Sequence, residues 1–168
     1  MRGRVVTLST TLAAAVVMLM TMGPKPVPSL VWNASSSVPI GLYRVLPAGK
    51  LIVTDLVIAL PPYPLAAVLA ESGYLPRDVL LIKRLLALPG QTVCRNARAI
   101  TIDGIAMGEA REQDRHGRLL PTWQGCQVVG EGQVFLMNWD EPDSLDGRYF
   151  GPISAAAILG RAQPIWTF

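Results

Sequence analysis

Val79-Leu80-Leu81-Ile82-Lys83-Arg84-Leu85-Leu86, closed by Pro89-Gly90, is the strongest strand signal in this sequence. With the two-residue period of a strand, Lys83 shares one face with Val79, Leu81 and Leu85, and Arg84 shares the other with Leu80, Ile82 and Leu86. One of the two cations is therefore expected inside the protein. The flanking sequence repeats the theme of short apolar runs cut by turn residues. Residues 41–46 read as a strand followed by the turn Pro47-Ala48-Gly49-Lys50, and residues 51–60 as one or two strands ended by Pro61-Pro62. Residues 65–71 suit a short helix stopped by Gly73. Residues 99–102 and 105–107 flank Asp103-Gly104, a two-residue hairpin signal. Residues 109–121 are polar and charged, a solvated loop, and residues 128–129, 134–137 and 158–166 supply further extended segments. The expected fold is mostly β, with an insertion-like stretch at about 91–133.

The whole chain has 168 residues, 51% hydrophobic and 16% charged, which argues against disorder. Fifteen Gly and fourteen Pro favour many turns and few long helices. The formal net charge is +3, but Arg2 and Arg4 stand ahead of an uncharged run. Without them the basic and acidic residues nearly balance, so the phosphate-neutralising patch of a nucleic-acid binder is not expected.

No charged residue lies between Arg4 and Lys25. As a helix those twenty residues would span roughly 30 Å, the thickness of a hydrocarbon core. Residues 1–22 are therefore expected to form one N-terminal transmembrane helix, an uncleaved anchor, although Thr7, Ser9, Thr10, Thr11 and Thr21 dilute it. A cleavable signal peptide is the rival reading. The two arginines favour a cytoplasmic N-terminus and a body outside the cytoplasm. Residues 23–34, rich in proline, read as a linker, and residues 35–168 as the body. The two cysteines, Cys94 and Cys126, have no CxxC spacing and no neighbouring histidines. They read as one disulfide of an oxidising compartment or as two buried thiols; a metal site would need more ligands.

The inventory of chemically active residues is short. His116, the single histidine, sits in a charged loop and reads as solvated. Lys25 and Lys50 read as interfacial and solvated, which leaves Lys83 on its apolar face. Burial there would lower its pKa and make it a general base, the device by which Ser-Lys peptidases activate their nucleophile; an edge-strand lysine would be the structural alternative. A second cluster is Asn33-Ala34-Ser35-Ser36-Ser37-Val38-Pro39-Ile40-Gly41-Leu42-Tyr43, where Gly41 permits close backbone approach and Asn33-Ala34-Ser35 also matches a glycosylation sequon. A third is Asn138-Trp139-Asp140-Glu141-Pro142-Asp143-Ser144-Leu145-Asp146-Gly147-Arg148, readable as a solvated turn or as a calcium loop, though Asp140, Asp143 and Asp146 lack EF-hand spacing.

Together these segments resemble the type I signal peptidase superfamily, most closely its conjugative-transfer branch of TraF-like pilin-processing proteases. Ser37-Val38-Pro39-Ile40-Gly41-Leu42-Tyr43-Arg44 is similar to the nucleophile box, the segment around Lys83 to the general-base box, and Ser144-Leu145-Asp146-Gly147-Arg148 to a later supporting box. They occur in family order behind an N-terminal anchor. Ordinary signal peptidases place the serine three residues before the proline, which would select Ser36; the TraF-like spacing selects Ser37. The Gly-Asp-Asn opening of the ordinary late box is replaced by Asn138-Trp139-Asp140, which counts against a housekeeping role.

The resemblance implies an antiparallel signal-peptidase-like catalytic core with a small β insertion that Cys94 and Cys126 could staple. It implies Ser37 as nucleophile and Lys83 as general base. The oxyanion donors would be the Ser37 N–H and the Ser35 hydroxyl. Ser144 would orient Lys83, with Asp146 and Arg148 bracing that shell. It implies no metal or organic cofactor. The substrate would be a small membrane-anchored pilin precursor of a type IV secretion system, cut or cyclised at the periplasmic face of the bacterial inner membrane, with other conjugation-apparatus proteins as partners. The alternatives are a housekeeping signal peptidase and a non-catalytic anchored β-domain of a secretion apparatus.

Overall fold

The computed structural model describes residues 2–21 and 27–168. The element order begins with helix α1 (Arg2–Thr21), β1 (Leu30–Asn33), β2 (Gly41–Leu46), β3 (Leu56–Ala59), helix α2 (Tyr63–Glu71) and β4 (Leu81–Ala87). It continues with β5 (Thr92–Asn96), β6 (Ala99–Ile102), β7 (Ile105–Glu109), β8 (Gly125–Val128) and β9 (Gln133–Leu136). The chain closes with a short helix α3 (Gly147–Phe150), β10 (Ile153–Ser154), a 3₁₀ turn (Ala155–Ala157) and β11 (Ile158–Thr167).

The strands form two sheets, one in the order β1-β2-β11-β3-β4-β9-β10 and a smaller one in the order β7-β6-β5-β8. Among the described residues every paired strand runs antiparallel. The strand quoted first, β4, lies between β3 and β9 in the large sheet. A register shift against β9 between Leu85 and Ala87 breaks its alternation, and this lets β4 serve both sheets. Leu85 packs with Val57, Ala59, Val134 and Leu136, whereas Leu86 and Ala87 join Val93, Ile100 and Ile102 of the small sheet, with Phe135 and Met137. A third cluster, Val38, Tyr43, Ile58, Ile82 and Ala162, lies under the serine-rich loop.

The hairpin forms where Asp103-Gly104 predicts it: both residues have positive φ, 50° and 80°, the type I′ conformation. Helix α2 starts two residues earlier than expected, because Pro64 in its first turn sacrifices no helical hydrogen bond. The Pro-rich linker reading of 23–34 needs correction, since Leu30–Asn33 is edge strand β1, antiparallel to β2. The Pro24, Lys25 and Pro26 readings, and the end of the anchor at Met22, fall outside the described residues.

The N-terminal segment is helical as expected, but its transmembrane reading is not supported: among the described residues no helix is long and apolar enough to cross a membrane. Hydroxyl side chains interrupt the apolar run. Thr7, Ser9, Thr10 and Thr11 each donate back to a backbone carbonyl three or four residues earlier. Val5, Val6, Leu8, Leu12, Val17 and Met18 are exposed along it.

Candidate active site

The serine-rich loop hangs between β1 and β2 and is shaped from both ends. Asn33, the last residue of β1, is buried, and its Nδ2 donates to the carbonyls of Ser35 (2.8 Å), Val38 (3.0 Å) and Pro39 (3.2 Å). Its Oδ1 accepts from the Ser35 N–H and the Ser35 hydroxyl. That amide is spent inside the fold, so the sequon reading of Asn33 fails for the folded chain. At the other end the Tyr43 hydroxyl donates to the Pro39 carbonyl at 2.6 Å. Gly41 has φ +149°, and a Cβ there would lie 2.1 Å from the Trp166 carbonyl oxygen, so only glycine lets β2 run beside β11 at this point. Ser35 and Ser36 are exposed, while Ser37 is half-buried and its Oγ lies 2.9 Å from that of Ser35. Because the Ser35 hydroxyl already donates to Asn33, the proton between the two serines belongs to Ser37.

Of the two cations on β4, Lys83 is the buried one, 3% exposed, and its Nζ donates to the Ser144 Oγ at 2.7 Å. Burial pulls its pKa from 10.5 down to about 8; Asp146 and Glu141 oppose that shift and Arg148 adds to it. Arg84 escapes on the opposite face, where its guanidinium lies 5.0 Å from the Trp139 ring centroid.

Behind Lys83, the third sequence cluster is wound around one buried ion pair. Arg148 Nη2 meets Asp146 Oδ2 at 2.8 Å, and Arg148 Nε meets Asp146 Oδ1 at 2.9 Å, with both residues at or below 1% exposed. Asp146 also caps α3 and accepts the Asn138 N–H, while Arg148 donates to the carbonyls of Asn138 and Glu141. Burying a pair this deep is tolerable only because nearly every remaining donor and acceptor is used. The calcium-loop reading is corrected by the same contacts, because Asp140, Asp143 and Asp146 are turned towards three different arginines, Arg84, Arg111 and Arg148.

Ser37, Lys83 and Ser144 line one cleft of about 660 Å³, together with Ser35, Ile82 and the loop that carries Arg111, Asp114, Arg115 and Arg118. His116 also lines it, from that exposed loop. Among the described residues no group of His, Cys, Asp and Glu could hold a metal ion. Asn138, fully buried, is a site residue that sequence reading missed. Its Nδ2 donates to the Ser37 carbonyl at 2.6 Å, and its Oδ1 accepts the Arg84 N–H at 2.8 Å. For Asn33 the sequence offers only a place at the head of the serine cluster and a sequon match. The signal available for both was an asparagine at the end of an apolar segment, next to a cluster with chemical potential.

Cys94 and Cys126 form a disulfide, directly opposed in the β5–β8 ladder of the small sheet.

The sequence model of the family described as "Signal peptidase, peptidase S26" matches residues 2–167. Conjugal transfer protein TraF of Agrobacterium fabrum is 37% identical over 148 residues, covering 81% of each chain. A probable conjugal transfer protein TraF of Sinorhizobium fredii is 34% identical, covering 81% of this chain and 76% of that one. A plasmid transfer protein TraF of Escherichia coli is 28% identical, covering 81% and 82%. Among solved structures, a signal peptidase I of Enterococcus faecalis aligns with a TM-score of 0.42 at 22% identity, over 68% of this chain and 97% of that one. The motif order, the cleft and the match along almost the whole sequence agree, and the chain belongs to the signal peptidase family, peptidase S26.

Proposed function

We propose that this chain is a Ser-Lys endopeptidase that matures a pilin precursor for conjugative transfer. The observation that carries the proposal is the buried Lys83 amine, held by Ser144 in the cleft that Ser37 also lines. A lysine with its pKa near 8 is partly neutral at physiological pH and can take a proton. The relatives that bear conjugal and plasmid transfer names support the conjugative setting.

In this mechanism Ser37 Oγ turns from Ser35 towards Lys83 and gives its proton to the neutral Nζ as it attacks the scissile carbonyl carbon. The Ser37 N–H, with the Ser35 hydroxyl once it releases Asn33, stabilises the oxyanion; each such donor is typically worth about 3 kcal/mol. Collapse breaks the C–N bond, and the protonated Lys83 gives its proton to the departing amine. Water, or an amine of the same pilin chain, then attacks the acyl-Ser37 ester, with Lys83 again taking the proton and returning it to Ser37 Oγ as the ester C–O bond breaks. Ser144 keeps the Lys83 amine aimed at the cleft, and the Asp146–Arg148 pair holds Ser144 in place.

The catalytic domain is proposed to lie on the periplasmic side of the inner membrane. The disulfide supports an oxidising compartment. Helix α1, its apolar side chains exposed, is proposed to keep the chain at the membrane where the pilin precursor and the rest of the transfer apparatus reside. Intact-mass measurement of small membrane proteins from donor cells carrying wild type or Ser37→Ala tests the reading. Accumulation of a longer precursor in the mutant is expected, and a wild-type product one water lighter than its linear sequence would identify cyclisation. Equal masses in both strains would overturn the pilin-processing role.

A further inference from the structure

We propose that Arg95 is a positioning residue for the general base: from the small sheet it holds α3, and through α3 the Ser144 shell, against Lys83. The proposal rests on the Ser-Lys reading above.

Arg95 lies on β5, outside all three motif segments, yet it is 4% exposed. Among the described residues it has no carboxylate partner. Its Nη1 donates to the Arg148 carbonyl at 2.5 Å, its Nε donates to the Ala97 carbonyl, and its guanidinium lies 6.0 Å from the Tyr149 ring centroid. An arginine buried without an acid is expensive, and an apolar side chain would fill the same space at lower cost if packing were its whole purpose. Its strongest bond goes to the one helix that carries the Lys83 support.

That helix cannot hold itself. α3 has four residues, too few to propagate a helix unaided, and its late carbonyls find no helical donors. The small sheet and its connections hold it from outside. Besides Arg95 on the Arg148 carbonyl, Trp123 Nε1 donates at 3.1 Å to the Gly147 carbonyl, which also accepts the Gly151 N–H, and the Arg111 N–H donates to the Tyr149 hydroxyl at 3.1 Å. On the other side of α3, Arg148 holds Asp146 and the Ser144 carbonyl, and the Ser144 hydroxyl meets Lys83. The ionisable groups that act on Lys83 are Asp146, Arg148 and Glu141, all in or beside this segment. A shift of α3 would therefore admit water to Lys83 and rearrange every charge around it. The water returns the amine towards its ordinary basicity, because burial is the largest cause of its lowered pKa and outweighs the opposing change at Asp146 and Glu141.

The test reads Lys83 directly and needs no substrate. The purified full-length chain is trace-labelled with acetic anhydride between pH 6 and 11, and acetylation of Lys83 is followed by mass spectrometry in wild type, Arg95→Met, Arg95→Lys, Trp123→Phe and, as a surface control on the same sheet, Arg98→Met. Expected is an upward shift of the Lys83 labelling midpoint by about one pH unit in Arg95→Met, a smaller one in Trp123→Phe, partial rescue in Arg95→Lys and none in Arg98→Met. Pilin conversion near neutral pH should fall by about tenfold in Arg95→Met and recover at alkaline pH. Should Arg95→Met not fold, Arg95→Lys and Trp123→Phe decide. Unchanged midpoints in folded variants would overturn the role of Arg95 and leave the peptidase reading standing. Equal pilin masses in wild-type and Ser37→Ala cells would instead remove the base that Arg95 is said to serve.

Discussion

Asn138 donates to the Ser37 carbonyl at 2.6 Å across 101 residues of sequence, and the same side chain accepts the N–H of Arg84, the neighbour of Lys83. One amide thus fixes the distance between the loop of the proposed nucleophile and the strand of the proposed base. Asn138→Ala would leave a buried acceptor and a buried donor unmatched, at about 1–3 kcal/mol each. Asn138→Asp keeps the acceptor for Arg84 and sets a carboxylate against the Ser37 carbonyl. Both variants are expected to lower pilin conversion by about 10–100-fold, because small displacements between reacting groups are costly. Conversion assayed beside a urea unfolding curve separates this effect from simple loss of fold.

The second prediction concerns pH. If Lys83 must be neutral to act, conversion rises with pH through an apparent pKa of about 8 and levels off above it. A rate flat from pH 6 to 9.5 would exclude Lys83 as the base. Stability gives an independent check. The folded pKa is lowered below the unfolded value of 10.5, so between pH 8 and 10.5 the unfolded chain binds more protons and stability rises with pH. Lys83→Met removes this dependence. It is expected to be more stable than wild type at pH 7, with the advantage shrinking by about 3 kcal/mol by pH 10.5, read from denaturant curves at each pH.

How much of this could be read in the sequence varied with the range of the contacts involved. The β6–β7 hairpin was legible because its two turn residues specify their own conformation. That one of Lys83 and Arg84 is buried followed from alternation along a single strand, but which of them is buried depends on neighbours distant in sequence, Ser144 beside Lys83 and Trp139 beside Arg84. Strand β1 was hidden because four residues after a proline-rich stretch carry almost no periodic signal, and its identity comes from pairing with β2. Strands β7 and β8 are largely exposed, so alternation is weak there too. The roles of Asn138 and Arg95 were out of reach, since each depends on a partner more than fifty residues away.

The third prediction concerns the disulfide. Cys94 and Cys126 close a loop with a separation of 32 residues, for which the chain-entropy model gives about 3–4 kcal/mol. Cys94→Ser with Cys126→Ser should lower the unfolding free energy by roughly that amount. Because Cys94 adjoins Arg95 on β5, the double variant should also move the Lys83 labelling midpoint upward, which a purely global loss of stability in a still-folded protein would not do. Thermal unfolding and labelling on one sample distinguish the two.

The last prediction is steric. Gly147 opens α3, and its backbone has no unusual φ, so its requirement for glycine is one of space alone. A Cβ there would stand 2.6 Å from the Phe135 ring and 2.7 Å from the Leu136 carbonyl oxygen. Phe135 is fully buried in the core, and the Leu136 carbonyl belongs to β9, so neither neighbour has room to retreat. Gly147→Ala must therefore push α3 away from β9, at a cost of about 1–3 kcal/mol or more. The displacement acts on the segment that carries Asp146 and Arg148, so conversion should fall further than the stability loss alone accounts for. At a temperature where the variant remains fully folded by circular dichroism, its Lys83 midpoint should still be raised. A folded Gly147→Ala with wild-type conversion and a wild-type midpoint would show that the placement of α3 does not govern Lys83.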